Sequence, residues 1–154
     1  MEKWAETYQS AIRKLSAGAI EEAFGMALLC RNILQSNFHK EASLELRLDY
    51  LESYMKTLLL FFDCSQKKGH DGCALAHLDH GFKSLGLLVQ NRHECPPIRQ
   101  KARELLKRSY EEMLAFYGEK TEHEKDRMQL QHKFRKVYFF KFLIPGEYST
   151  LDGC

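Results

Sequence analysis

Proline is absent from residues 1–95 of the chain and occurs only at Pro96, Pro97 and Pro145. Proline inside a helix removes a backbone hydrogen bond and clashes with the preceding turn, so nothing before residue 96 forbids helix. Over the same stretches, apolar residues recur with the period of an amphipathic helix. The most regular seam alternates by four and three residues, through Leu44, Leu48, Leu51, Met55, Leu58 and Phe62. The chain is therefore predicted to be all-α.

The apolar seams predict about six helices that pack as antiparallel neighbours. The first ends at Ala17 and Gly18, because glycine can adopt a left-handed cap. Residues 65–72 (SQKKGHDG) are polar and contain glycine, so they are predicted as the loop before the fourth helix. Pro97 suits the first turn of the fifth helix. The fourth helix is expected to turn one face inward, composed of Leu75, Leu78, Phe82, Leu85 and Val89.

The length of the chain bounds its domain organisation. At 154 residues it can bury a self-sufficient core without a second domain. Residues 1–145 are therefore predicted to form a single helical domain, either a closed bundle or a solenoid-like stack, and residues 146–154 a flexible tail. Residues 137–144 are rich enough in aromatics to suit a strand, yet a helix is the prediction there.

Small residues mark the first two helices, at Ala11, Gly18, Ala23, Ala27 and Cys30. Such side chains let two antiparallel helices approach closely, as in any helical bundle. Residues 5–36 also resemble a tetratricopeptide-type helical hairpin, because GAIEEAF is similar to that family's glycine, paired acids and alanine at the helix turn. The resemblance departs from the repeat of about 34 residues at Ala27 and Gln35, and no second copy follows. It implies a curved stack of hairpins that presents a groove to a partner protein.

Charge and cysteine usage limit the classes of partner and the location. The formal net charge is +2 with acids and bases interspersed, so no nucleic acid partner is expected. The N-terminal MEKWAETYQS lacks the basic flank and apolar stretch of a signal peptide, and five scattered cysteines are typical of reduced thiols. The longest apolar run is far too short for a transmembrane segment. The expected location is the cytoplasm, the nucleus or both.

One stretch, GHDGCALAHLDH (residues 69–80), gathers metal-ligating side chains. His70, Cys73, His77 and His80 are spaced by three, four and three residues, so a continuous helix would place them on one face. Zinc accepts imidazole nitrogen and thiolate sulfur, which makes these four residues candidate ligands of a zinc-binding helical protein. The alternative is a solvated helix face without a cofactor, because the inward stripe lies opposite and the flanking glycines favour a loop position for His70.

No arrangement typical of an enzyme is legible in the sequence. The glycine-rich phosphate-binding motifs and the metalloprotease motif HExxH are absent. Cys73 and His77 are one helical turn apart, but a nucleophile also needs an orienting group and an oxyanion site. The protein is therefore predicted not to be an enzyme.

The C-terminal segment differs from the rest because aromatic and basic residues crowd together there. Aromatic residues and arginine are the usual anchors of protein interfaces. The residues predicted to bind a partner protein are Arg135, Lys136, Tyr138, Phe139, Phe140 and Phe142. The alternatives are that the aromatics close the end of the core, that they mediate self-association, or that residues 133–144 contact an anionic membrane surface. The sequence thus predicts an intracellular interaction or adaptor module, with the zinc-binding protein as the alternative.

Overall fold

Six α-helices account for nearly all of the residues that the structure describes. The structure, a computed structural model, describes residues 1–37, 42–118 and 121–139. No strand occurs in these three ranges, so the all-α prediction and the number of helices are confirmed. The helices are α1 (Glu2–Ser16), α2 (Ile20–Asn37), α3 (Leu44–Lys67), α4 (Asp71–Gln90), α5 (Pro96–Tyr117) and α6 (Glu124–Tyr138), with a turn of 3-10 helix at Thr121–His123.

The chain divides into two compact units, residues 1–80 and residues 81–154. Helix α4 crosses the boundary, contributing residues 71–80 to the first unit and residues 81–90 to the second. The single helical domain over residues 1–145 stays a prediction. The tail expected over residues 146–154 lies outside the described residues, as does most of the segment 137–144 beyond the end of α6.

The core of the first unit depends on small residues where α1 packs against α2. Ala11 of α1 and Ala23, Ala27 and Cys30 of α2 have no exposed surface, as the close approach of two helices requires. Leu60, Phe61 and Cys64 of α3 complete the main apolar cluster around Ala11, Leu15, Ala23 and Ala27. The prediction that small residues form the contact surface of this hairpin is therefore confirmed.

A second cluster in the same unit surrounds Trp4. The indole Nε1 of Trp4 donates a hydrogen bond of 3.1 Å to Oγ1 of Thr57, and that hydroxyl donates one of 2.8 Å to the carbonyl of Ser53. A buried indole N–H without an acceptor would destabilise the fold, so Thr57 satisfies the polar atom that Trp4 brings into the core. The ring of Tyr8 stacks on Trp4 at 5.0 Å between centroids.

Two connections between helices share the same tight geometry. After α1, the N–H groups of Gly18 and Ala19 donate to the carbonyls of Leu15 and Lys14, at 3.1 and 2.9 Å, while the carbonyl of Ala19 accepts from Ala23 in α2. Gly18 has φ +78°, so the predicted left-handed glycine cap is confirmed. This bond pattern is the Schellman motif. Ala19 therefore both closes one helix and begins the next.

The turn between α3 and α4 repeats this arrangement around Gly69, which has φ +73°. The N–H groups of Gly69 and His70 donate to the carbonyls of Gln66 and Ser65, both at 2.9 Å, and the carbonyl of His70 accepts from Ala74. The loop predicted over residues 65–72 was too long, because α3 continues to Lys67 and α4 begins at Asp71. The motif needs few residues, which leaves Gly72 inside α4.

Alanine substitutions at two glycines are expected to change stability in opposite directions. Gly18→Ala should lower the free energy of unfolding by about 1–2 kcal/mol, because an L side chain is strained at positive φ. Gly25→Ala, inside α2 and with open space around an added Cβ, should raise it by about 0.5–1 kcal/mol, because alanine favours helix over glycine. Urea denaturation followed by circular dichroism measures both. A change of the same sign in the two variants would contradict this account of Gly18.

In the second unit, α5 and α6 form an antiparallel pair. Tyr110 near the middle of α5 stacks on Phe134 near the end of α6, and Nη1 of Arg127 near the start of α6 donates a 2.7 Å hydrogen bond to the carbonyl of Gly118 after α5. Both prolines of the pair at 96 and 97 lie in the first turn of α5, as predicted for Pro97. The buried residues of α5 and α6 include Ile98, Ala102, Leu105, Leu106, Met113 and Leu130.

The predicted inward face of helix α4 is buried. Leu78, Phe82, Leu85 and Val89 are all at most 4% exposed, while Leu75 is half-buried at the edge of the stripe. A Cβ added at Gly86 would lie 3.4 Å from Cγ1 of Val137, so α4 and α6 approach closely at that position.

Candidate functional site

Four aromatic rings, on α5, on α6 and on the residue that follows α6, form a continuous row that we call the aromatic ladder. The ring of Tyr110 stacks on Phe134 with centroids 4.0 Å apart, Phe134 stacks on Tyr138 at 4.8 Å, and Tyr138 meets Phe139 edge-on at 5.2 Å. Phe134 and Tyr138 are four residues apart on α6 and therefore share one face of the helix. The ladder leads from half-buried rings on α5 and α6 to Phe139, which is 47% exposed.

Basic residues precede the exposed end of the ladder in the chain. Lys133, Arg135 and Lys136 are exposed, and no aspartate or glutamate occurs between residues 127 and 139. Arg135 and Lys136 lie in the last turn of α6, where cations interact favourably with the helix dipole. We call Lys133, Arg135, Lys136, Tyr138 and Phe139 the aromatic–basic surface.

The residues predicted to bind a partner fall into three groups. Arg135, Lys136 and Phe139 are exposed, and Tyr138 is half-buried. Phe140 and Phe142 lie outside the described residues. Other side chains of α6 pack inward: Val137 lies against Gly86, and Phe134 lies against Tyr110. This is the arrangement expected if aromatic residues of this segment help to close the core. One end of α6 thus packs inward through some aromatics and exposes another together with the bases.

The four candidate zinc ligands occupy different environments. His70 lies in the turn before α4, and His70, Cys73 and His80 are exposed. His77 is half-buried, with its ring stacked on Phe61 of α3 at 4.8 Å between centroids and an angle of 22° between planes. Within the described residues, no group of three or more histidine, cysteine, aspartate or glutamate side chains is placed to hold a metal ion. The expectation of a wholly solvated face fails at His77, which flanks the buried Ala74 and Leu78.

The charged groups that shift the pKa of His77 are both basic. The guanidinium Cζ of Arg31, on α2, lies 5.7 Å from the centroid of the same Phe61 ring. Burial lowers the pKa of His77 below its usual value, and Arg31 and His80 lower it further because each is or can become a cation. A guanidinium beside the imidazole also disfavours a divalent cation at that position.

Acid is expected to destabilise the protein through His77. Its pKa is lowered from 6.5 in the folded state, so the unfolded chain takes up the proton first as pH falls through about that value. Stability should therefore decrease below that pH and level off below the pKa of the folded state. His77→Phe keeps an aromatic ring against Phe61 and removes the titration, so its melting temperature should decrease less between about pH 7.5 and 5.5 in chloride buffer. An equal decrease in both proteins would contradict the assignment.

Sequence reasoning missed the contacts that Lys68 makes with Phe24 and Glu21 of α2. Nζ of Lys68 lies 4.3 Å from the ring centroid of Phe24 and 2.8 Å from a carboxylate oxygen of Glu21. Phe24 in turn meets Phe61 edge-on at 5.4 Å. A lysine just beyond the end of α3 is an ordinary helix-terminal residue, and nothing local in the sequence indicates its aromatic partner.

Helices α1 and α2 form the hairpin that the tetratricopeptide-type resemblance implies. Comparisons of the chain with protein-family models, with curated protein sequences and with solved structures found no match in any of the three. No helix in the described parts of the chain has the length and hydropathy of a membrane span. The family resemblance of residues 5–36 stays a prediction.

Proposed function

We propose that the protein is a non-enzymatic interaction module that binds a partner protein through the aromatic–basic surface. The observation that carries the proposal is the exposed ring of Phe139 at the end of an anchored ladder, flanked by bases and by no acid between residues 127 and 139. Aromatic rings and arginine contribute most of the binding energy in protein interfaces. An exposed ring held in contact with Tyr138 has less freedom to lose on binding than a ring on a mobile side chain.

The charge of the aromatic–basic surface limits the kind of partner that can bind to it. Lys133, Arg135 and Lys136 attract negative charge, and the partner must also cover the apolar ring of Phe139. We therefore propose a protein segment that carries both acidic and apolar side chains. Complementary charge of this kind raises the rate of association and makes it depend on salt. A second copy of the chain remains one candidate source of such a segment.

The cysteines support a proposed location in the cytoplasm, the nucleus or both. Cys30 and Cys64 are buried free thiols, and burial raises the pKa of Cys30 to about 11. Such a thiol stays protonated and unreactive, which suits a structural role and a reducing compartment. Burial likewise raises the pKa of Cys64. Neither of these two thiols is therefore a suitable catalytic nucleophile.

Site-specific photo-crosslinking tests the proposed surface. p-Benzoylphenylalanine is placed at position 139 and, as a matched control, at position 87, because Leu87 is 70% exposed on α4. We expect a discrete cross-linked protein at position 139 that is absent at position 87. Mass spectrometry identifies it, and the purified partner is then titrated against the unmodified protein and variants. Phe139→Ala should weaken binding at least about tenfold, because interface anchors cost about 2 kcal/mol or more on truncation.

The charge requirement is tested with the same purified partner. The double variant Arg135→Glu/Lys136→Glu should slow association and reduce its dependence on salt. A control pair, Lys3→Glu/Arg13→Glu, changes exposed bases on α1 by the same amount and should leave binding unchanged. Equal cross-linking at both positions, or unchanged affinity in Phe139→Ala, would refute the proposed surface.

A further inference from the structure

The ring of Phe61 holds two nitrogen-rich side chains from different helices. His77 of α4 stacks on it at 4.8 Å, and Arg31 of α2 lies with its Cζ at 5.7 Å from the same centroid. Phe61 is itself 2% exposed, so it forms a fixed base for both groups. His80 lies one turn after His77 on α4 and is exposed, as is Arg31. Arg31 and His77 therefore lie near one ring of the first unit, and both Arg31 and His80 act electrostatically on His77.

The charges around these three side chains, among the residues that the structure describes, favour an anion. In residues 1–37, 42–118 and 121–139, no carboxylate forms an ion pair with Arg31, His77 or His80. Arg31 and His80 both disfavour a proton on His77. An anion bound beside them would stabilise the positive charge of each side chain. By contrast, Lys68 on the neighbouring Phe24 ring already pairs with Glu21.

We propose that Arg31, His77 and His80 bind a phosphate-type oxyanion. The guanidinium offers several N–H donors in a planar fork that matches two oxygens of a tetrahedral anion, and each imidazole can offer a ring N–H. Contact with Phe61 orients two of the three groups in advance, which reduces the entropy that binding must overcome. This site lies in the first unit and does not depend on the proposed partner-binding surface.

The anion reverses the electrostatic environment of His77. Without it, Arg31 opposes protonation of the imidazole, whereas a bound dianion favours it. The anion should therefore raise the pKa of His77, and by linkage acid should tighten the binding of the anion. The groups that act on His77 in this exchange are Arg31 from α2 and His80 from α4.

Histidine side-chain NMR tests the site. The pKa of His77 is measured in chloride and in inorganic phosphate at equal ionic strength. We expect phosphate to raise it by about one unit, the usual effect of an opposite charge within about 4–6 Å. The exposed His70 and His132 serve as internal controls and should shift far less. A second titration uses O-phosphoserine in place of inorganic phosphate. Whichever of the two ligands saturates the shift in the His77 pKa at the lower concentration is the preferred one, which distinguishes a phosphate monoester from the free ion.

A substitution of Arg31 gives a result that no general salt effect reproduces. Arg31→Gln should raise the pKa of His77 in chloride, because the repulsion is removed, and should abolish the further rise in phosphate. Arg13→Gln, at an exposed position of α1, should change neither value. An unchanged pKa of His77 in phosphate, equal shifts of all three histidines, or a phosphate response that survives in Arg31→Gln would each overturn the proposal.

Discussion

Replacing Phe61 with alanine is expected to lower the free energy of unfolding by about 3–5 kcal/mol, a large part of the 5–15 kcal/mol typical of a domain. Phe61 is 2% exposed and belongs to the cluster that joins α1, α2 and α3. Its ring also contacts Phe24 edge-on and carries the stacked ring of His77. The substitution therefore removes apolar contacts, leaves a cavity and frees two side chains at once.

Urea denaturation followed by far-ultraviolet circular dichroism measures the loss. Leu29→Ala is the matched control, because Leu29 is 55% exposed on α2 and its truncation should change stability by no more than about 0.5 kcal/mol. If Phe61→Ala does not fold, Phe61→Leu provides a smaller truncation whose loss can be measured. A loss below about 1 kcal/mol in Phe61→Ala would show that the ring is not part of a packed core.

The second large effect is expected from adding volume between α1 and α2. Ala27→Leu should lower the free energy of unfolding by about 1–3 kcal/mol, because extra methylene groups in a close-packed core force side chains and backbone apart. Ala27 has no exposed surface and lies in the cluster with Ala11, Leu60 and Phe61. Leucine and alanine are both good helix formers, so helix propensity contributes little to the change.

The control for this variant is the same substitution on an open surface. Ala5→Leu adds the same atoms to an exposed position of α1, and it should stay within about 0.5 kcal/mol of the unchanged protein. Thermal unfolding of the two variants at equal protein concentration gives the comparison. Equal melting temperatures would mean that the helices separate at Ala27 without cost, contrary to the close packing of the hairpin.

The features predicted correctly from the sequence are periodic or local. The inward stripe of α4 follows from helical spacing, and Leu78, Phe82, Leu85 and Val89 are buried as that spacing requires. The cap at Gly18 follows from the conformational freedom of glycine, which the structure uses at φ +78°. The positions of the small residues in the first hairpin indicated the surface through which α1 and α2 pack. None of these predictions needed contacts between distant parts of the chain.

The surroundings of His77 could not be predicted in the same way. Its spacing from Cys73 and His80 is visible in the sequence, but Phe61 and Arg31 come from other helices. Whether an imidazole at the edge of an apolar stripe meets solvent, a ring or a cation depends on how those helices pack. The metal hypothesis relied on the spacing alone, whereas the oxyanion proposal depends on which side chains the fold places beside the imidazole. The aromatic ladder similarly needs Tyr110 of α5 to meet Phe134 of α6.

The shared residues in the two tight turns have a consequence for how the first unit tolerates change. Ala19 and His70 each hydrogen-bond to the helix before them and to the helix after them. Proteases cleave, and inserted sequences are tolerated, where the backbone can leave its hydrogen bonds without unfolding its neighbours. Neither turn has a residue that can do so. Both connections should therefore resist nicking while the helices are folded, and both are poor positions for a tag, a linker or a new chain terminus.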